Sequence, residues 1–335
     1  MTHNDQVLEV LELSEQRREA RRAFLRTGTA AAIAAGGTSL LAACGGDKNN
    51  NNPPPTSTVP DPFPPPPPPP TGAITDGDIL NFALNLEYLE AQFYSFAAFG
   101  TGLPEDMLSG TGTRGQVIGG AKVPFTDPVV AAYAIEIAND ERQHVAFLRA
   151  AIGGTRVAQP TLDISGSSAF AAAAQAAGLV AAGQPFNPYQ NDENFLLGAY
   201  IFEDVGVTAY KGASPLLTSK VFLEAAAGIL AAEAYHAGLV RTVLYGKGMQ
   251  TPSLITATEK ISDARDSLDD PSDKDQGVAQ RGVASNIVPT DGNGLAYSRS
   301  AGDVLNIVYL TAAAASQGGF FPAGVNGTIR TSTAG

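Results

Sequence analysis

The chain has 335 residues, 44% of them hydrophobic, which is enough apolar material for one large domain or two ordinary ones. Only 16% are charged, and 21 Lys plus Arg against 33 Asp plus Glu leave a net charge of −12. The acids and arginines of residues 1–43 cancel, so the remainder carries all of that charge; such a surface repels phosphate backbones and excludes nucleic acid as a partner.

The single cysteine, Cys44, excludes an intrachain disulfide. It closes a short pattern: Arg21-Arg22-Ala23-Phe24-Leu25-Arg26, then an uncharged Ala/Gly-rich stretch, then Leu41-Ala42-Ala43-Cys44. The stretch is too short and too weakly apolar for a stable membrane span, and its layout is that of a cleavable signal. The paired arginines resemble a twin-arginine export signal, and Leu-Ala-Ala-Cys resembles a bacterial lipobox. The resemblance implies a signal peptide over 1–43, the twin-arginine export machinery as a partner, and cleavage before Cys44. A lipid on the Cys44 thiol then anchors the chain to a membrane of the bacterial cell envelope, on the periplasmic side or the cell surface. Export in the folded state suits a protein that takes its cofactor in the cytoplasm.

Residues 44–74 read as a tether. An Asn run, Asn49 to Asn52, precedes twelve prolines between Pro53 and Pro70, seven of them consecutive. Polyproline is stiff and extended, so this segment holds the following domain off a surface.

From Thr75 onward the pattern is helical. Asp76 or Asp78 is expected to cap a first helix with apolar positions Ile79, Phe82, Ala83, Leu86, Leu89, Phe93 and Phe96. Residues 99–126 read as a long Gly-rich loop. Asp127-Pro128 opens a second helix that stops at Gly153-Gly154. Residues 155–190 form a connection, with a short Ala-rich helix between Ala169 and Ala182. A third helix is expected over Asp192–Lys211, and a fourth over Ser219–Tyr245, ended by Gly246. Four long helices with one long crossover describe an all-α, ferritin-like bundle over 75–246. Residues 247–335 read as an irregular, partly helical extension packed on the bundle, with helical candidates at Pro252–Leu268 and Asp303–Ala314.

Beyond residue 43 the chain has two histidines, His144 and His236, each three residues after a glutamate: Glu141-Arg142-Gln143-His144 and Glu233-Ala234-Tyr235-His236. At i and i+3 both side chains leave one helix face, so each pair can grip one ion. The other two helices then supply one glutamate each. The third offers Glu203; the first offers Glu87 and Glu90. A repeat separates these two: Glu203 is followed seven residues later by Tyr210, and Glu87 by Tyr94, whereas the counterpart of Glu90 is Gly206. Glu87 is therefore the expected ligand and Glu90 its rival.

One Glu from each of two helices and a Glu-x-x-His from each of the others is the donor set of ferritin-like dimetal carboxylate proteins. The chain resembles the bacterial ferritin-like group related to desiccation-associated proteins; rubrerythrins and manganese catalases share the motif more distantly. Glu87, Glu141, His144, Glu203, Glu233 and His236 are the expected metal ligands. Four carboxylates and two neutral imidazoles balance two divalent ions and suit Fe or Mn. Tyr94 and Tyr210 are expected either to hydrogen-bond near the metals or buffer redox chemistry there, or to be core tyrosines with wetted hydroxyls. Asp140 and Asp204 read first as solvated-face residues, with orientation of an imidazole as the alternative.

Two functions follow as expectations. The first is a dimetal oxidoreductase of peroxidase or catalase type, acting on peroxide or dioxygen under oxidative stress. The second is a non-enzymatic desiccation or stress protein with a structural metal site. A homo-oligomer is compatible with either. Iron storage fits less well, because a lipid tether and an extension obstruct a closed shell.

Overall fold

The computed structural model describes residues 74–334. The expected signal over 1–43, the lipidation site Cys44 and nearly all of the tether lie outside the described residues. Seven α-helices are present among the described residues, with one pair of three-residue strands.

Helix α1 spans Asp76–Phe99. Its cap is Thr75 rather than either aspartate: the Thr75 hydroxyl accepts from the Asp78 N–H, and the Asp78 carboxylate accepts from the Thr75 N–H at 2.9 Å. Asp78 thus serves as the third-residue partner of a capping box. Asp76 is drawn away to the backbone N–H groups of Thr218 and Ser219, at 2.9 and 2.8 Å. That contact ties the start of α1 to the start of a later helix. Helix α2, Pro128–Ile152, begins as expected, with Asp127 accepting from the Val129 and Val130 N–H groups. Val123 N–H donates to Ala97 O near the end of α1, and Val157 N–H reaches Asn81 near its start, so α1 and α2 run antiparallel.

The Gly-rich segment between them is not wholly a loop. Strand β1, Val117–Gly119, pairs in parallel with β2, Leu162–Ile164. β2 is buried while β1 is largely exposed, and the ladder gives the buried β2 backbone hydrogen-bond partners. The short helix α3 covers Ala169–Ala176.

Helix α4, Asp192–Ala213, is capped by Asn191, and Asp192 accepts from Thr126 and Asp127 at the start of α2. Helix α5, Lys220–Gly248, follows the Ser219 cap and runs through Gly246, where it was expected to stop. A helical glycine costs about 1 kcal/mol, which a long packed helix absorbs; the turn before Pro252, the first residue of α6 (Pro252–Asp266), ends it instead. Helix α7 covers Ala301–Tyr309. Helices α1, α2, α4 and α5 form the bundle, with α1 against α2 and α4 against α5.

Aromatic rings join the extension to the bundle. Phe93, Phe170 and Phe202 meet at centroid distances of 5.4 to 5.6 Å, and Phe320 lies 4.9 Å from Phe202. A chain of buried charges adds a second junction. Arg241 on α5 and Arg265 on α6 both reach Asp204 Oδ2 on α4, at 2.8 and 3.0 Å. Arg265 Nε lies 2.8 Å from Asp275, Arg299 pairs with Asp275, and Arg299 Nε lies 2.7 Å from Asp269. Three arginines and three aspartates cancel, which is what makes their burial tolerable. The solvated-face reading of Asp204 is corrected here: it is buried, and it holds the extension rather than an imidazole. Close approach also needs Gly212, where a Cβ would lie 1.9 Å from the Arg299 carbonyl oxygen.

Candidate metal centre

The four bundle helices are predominantly apolar inside, yet each brings at least one glutamate to the same level. Glu87, Glu141 and Glu233 are fully buried, Glu203 is 1% exposed and His236 3%. The helical i, i+3 relation puts Glu141 beside His144 on α2 and Glu233 beside His236 on α5. The structure brings all six expected ligands together.

They form two donor groups that share one residue. Glu87, Glu141, His144 and Glu233 each present one atom within 4.8 Å of the others, and so do Glu141, Glu203 and His236. His144 Nδ1 lies 3.2 Å from Glu87 Oε2, 3.6 Å from Glu141 Oε2 and 3.6 Å from Glu233 Oε1. His236 Nδ1 lies 3.1 Å from Glu141 Oε1 and 3.7 Å from Glu203 Oε2. Glu141 therefore presents one oxygen to each group. The imidazole rings stand 6.1 Å apart at 29°.

Two tyrosines fix the outer oxygens. Tyr94 donates to Glu203 Oε1 and Tyr210 to Glu87 Oε1. Each tyrosine thus serves the glutamate of the other repeat. Asp140, half exposed, lies 3.3 Å from His236 Nε2, on the side of the ring away from the cluster. The orientation role weighed for Asp140 therefore has geometric support, and exposure and imidazole contact coexist there.

Eight buried donor atoms at the centre have no hydrogen-bond partner: Glu87 Oε2, both oxygens of Glu141 and of Glu233, Glu203 Oε2, and Nδ1 of each histidine. So many orphaned polar atoms in one place would carry a steep desolvation cost if nothing bound them. A hard or borderline cation satisfies such a set, so the cluster can bind metal. Without a cation the carboxyls compete for protons. Burial pushes Glu87 up to about 7 and Glu203 up to about 8, with neighbouring Glu141 adding to both. Burial and the surrounding carboxylates push Glu233 and Glu90 well above the ordinary range. Glu141 goes the other way: burial opposes its ionisation, but His144 and His236 on its two sides hold it below the usual carboxylate range. Burial works against protonation of the histidines, yet nearby carboxylates raise His144 to about 11 and His236 to about 10.

Glu90 belongs to neither donor group. It lies beside the cluster, at the backbone of Gly206, which the repeat had already marked as its counterpart. The arginine network had no local signal beyond Arg241 itself, a single cation between Leu239-Val240 and Thr242-Val243-Leu244 on α5.

Comparison with known proteins agrees with this architecture. The family described as "Ferritin-like domain" matches residues 75–246. The desiccation-related protein PCC13-62 of Craterostigma plantagineum is 34% identical over 263 residues, covering 74% of this chain and 82% of that protein. The ferritin-like catalase Nec2 of Nesocodon mauritianus is 31% identical over 270 residues, covering 76% and 84%. No solved structure gives a significant match. With the family match spanning all four bundle helices that carry the Glu/His cluster, this chain belongs to the ferritin-like family.

Proposed function

We propose that the chain is a dimetal carboxylate oxidoreductase that breaks down hydrogen peroxide. One observation carries this reading: two buried donor groups that share Glu141, each with its own histidine and with donor atoms no protein group satisfies. Glu87, Glu141, His144 and Glu233 would hold one ion, and Glu141, Glu203 and His236 the other. Two Fe or Mn ions held there would supply a two-electron reservoir that side chains lack, enough for two molecules of hydrogen peroxide to give two of water and one of dioxygen without an outside reductant. The chain's own residues keep this chemistry contained. Tyr94 and Tyr210 hold the outer oxygens of Glu203 and Glu87, leaving the inner oxygens free to bind. Asp140 lies 3.3 Å from His236 Nε2, where it would accept that N–H and leave Nδ1 to an ion bound at the cluster. The apolar walls exclude bulk water. The relative named a ferritin-like catalase supports this reading.

The relative named a desiccation-related protein favours a second one, in which the ions only staple the bundle. Elemental analysis of cytoplasm-loaded protein, paired with a peroxide-consumption assay, separates them. Two ions per chain and peroxide loss support the enzyme. Full loading with no reaction toward peroxide or dioxygen supports the staple.

For location, we propose lipid anchoring through Cys44 after twin-arginine export, on the Arg21-Arg22 and Leu41–Cys44 patterns. Replacing Cys44 by Ser should move the protein from membrane to soluble fractions. A soluble wild type with an intact N-terminus would remove the anchor from the reading.

A further inference from the structure

Glu90 is a buried carboxyl that the donor groups leave aside. It leaves α1 one turn after Glu87 and is 6% exposed, and no hydrogen bond reaches it among the described residues. A buried carboxyl without a partner is costly and calls for an explanation.

Its surroundings supply one. A Cβ at Gly206 on α4 would lie 3.5 Å from Glu90 Oε1 and only 2.4 Å from Glu233 Oε2. Two carboxyl groups thus converge on a piece of helix that has no side chain, and neither Glu233 oxygen has a partner. Beside Glu90 and Gly206 a small cavity of about 20 Å³ runs between α1, α4 and the extension. Leu89, Val205, Ile307 and Phe320 are among its walls, and Glu90 is the one polar side chain in its lining. A water needs roughly 10–15 Å³ of such space, so a single small molecule fits. Apolar walls with one polar group give such a molecule a place and an orientation.

We propose that this cavity binds one small hydrogen-bond donor of the water or hydrogen peroxide class, with Glu90 as its anchor. Glu90 is then a substrate-binding residue beside the metal centre rather than one of its ligands. The extension acquires a role as well, since Ile307 and Phe320 close the outer wall. The purpose of the cavity rests on the peroxide chemistry proposed above; its occupancy does not.

The test compares full-chain wild type with Glu90→Leu and with Val205→Phe, which fills the cavity from its apolar wall and leaves Glu90 in place. High-resolution crystal structures of metal-free and metal-loaded protein probe for water. Metal content is measured on the same samples, and initial rates against hydrogen peroxide concentration probe for peroxide. Expected are an ordered solvent molecule about 3 Å from the Glu90 carboxyl in the wild type and its loss in both variants. Metal content should stay equal in all three, and KM for peroxide should rise about tenfold in both variants, the effect of one lost hydrogen bond. An ion coordinated by Glu90, or metal content that falls in Glu90→Leu, makes Glu90 a ligand and overturns the proposal. A dry cavity in the wild type, or an unchanged KM in both variants, overturns it too. Should Glu90→Leu fail to fold, Val205→Phe decides alone. If loaded wild type ignores peroxide, the proposed function fails, and the solvent position still decides this inference.

Discussion

Tyr94 on α1 donates its phenolic hydrogen to Glu203 on α4, across the bundle from its own repeat. Tyr210 on α4 returns the same bond to Glu87 on α1. The two Glu-x6-Tyr segments therefore exchange hydrogen bonds as a reciprocal pair. Each bond leaves one carboxylate oxygen facing outward and satisfied, and one facing inward and unsatisfied.

Removing one of these phenols should expose that arrangement. Tyr94→Phe leaves Glu203 Oε1 buried without a donor, at a cost of about 1–3 kcal/mol. Tyr210→Phe should cost a similar amount through Glu87. Urea unfolding of the metal-free protein measures both. Wild-type stability in either variant would show that these tyrosines do not hold the carboxylates.

Asp204 faces two arginines, and its loss leaves both buried without their shared counter-charge. Asp204→Ala is expected to destabilise the protein by about 3–5 kcal/mol. Because the network joins α4 and α5 to the extension, hydrogen exchange near Arg265 and Arg299 should accelerate first. Chemical unfolding of the variant, followed by exchange mapping, checks both statements.

Metal-free protein should lose stability as pH rises. Glu87 and Glu203 titrate at about 7 and about 8 in the fold against an ordinary 4.5, so the folded chain binds more protons between those values. Stability from them is full below about 4.5 and is lost as pH rises through 7 to 8. The histidines act in the same sense over a higher window, from 6.5 up to about 10 and about 11. Glu141 opposes them only at acid pH, where its low value is reached. Bound metal displaces these protons, so its stabilising effect should grow with pH. Melting curves from pH 5 to pH 9, with and without Mn²⁺, measure the divergence. Parallel curves would count against the cluster as the metal site.

Gly206 gives Glu233 its place. A Cβ 2.4 Å from Glu233 Oε2 must push that carboxylate away from the cluster. Gly206→Ala is therefore expected to weaken binding at the four-donor group by about tenfold or more. The group of Glu141, Glu203 and His236 should keep its ion. Calorimetric titration with Mn²⁺ should show one binding step weakened and the other retained.

Much of the centre could be read from the chain alone, because its spacing is local. Glu141/His144 and Glu233/His236 obey the helical period, and the period itself places each pair on one face. The repeat of Glu and Tyr seven residues apart distinguished Glu87 from Glu90 and marked Gly206 as the odd position. The cap signal Asp127-Pro128 located a helix start, because capping is a contact between near neighbours in sequence. Where two candidates competed locally, as at Thr75, Asp76 and Asp78, the winner was set by a distant partner: Thr218 and Ser219 draw Asp76 away. Other features had no local trace at all. Tyr94 and Glu203 are 109 residues apart, and nothing near either one says that the tyrosine crosses to the opposite repeat. The burial of Asp204 depends on Arg265 and on the path of the extension, 61 residues later. The cavity at Glu90 exists only because α7 and Phe320 cover the gap between α1 and α4. Helical periodicity determines which side chains share a face; which faces meet, and what charge lies opposite, is decided when distant segments pack and leave water behind.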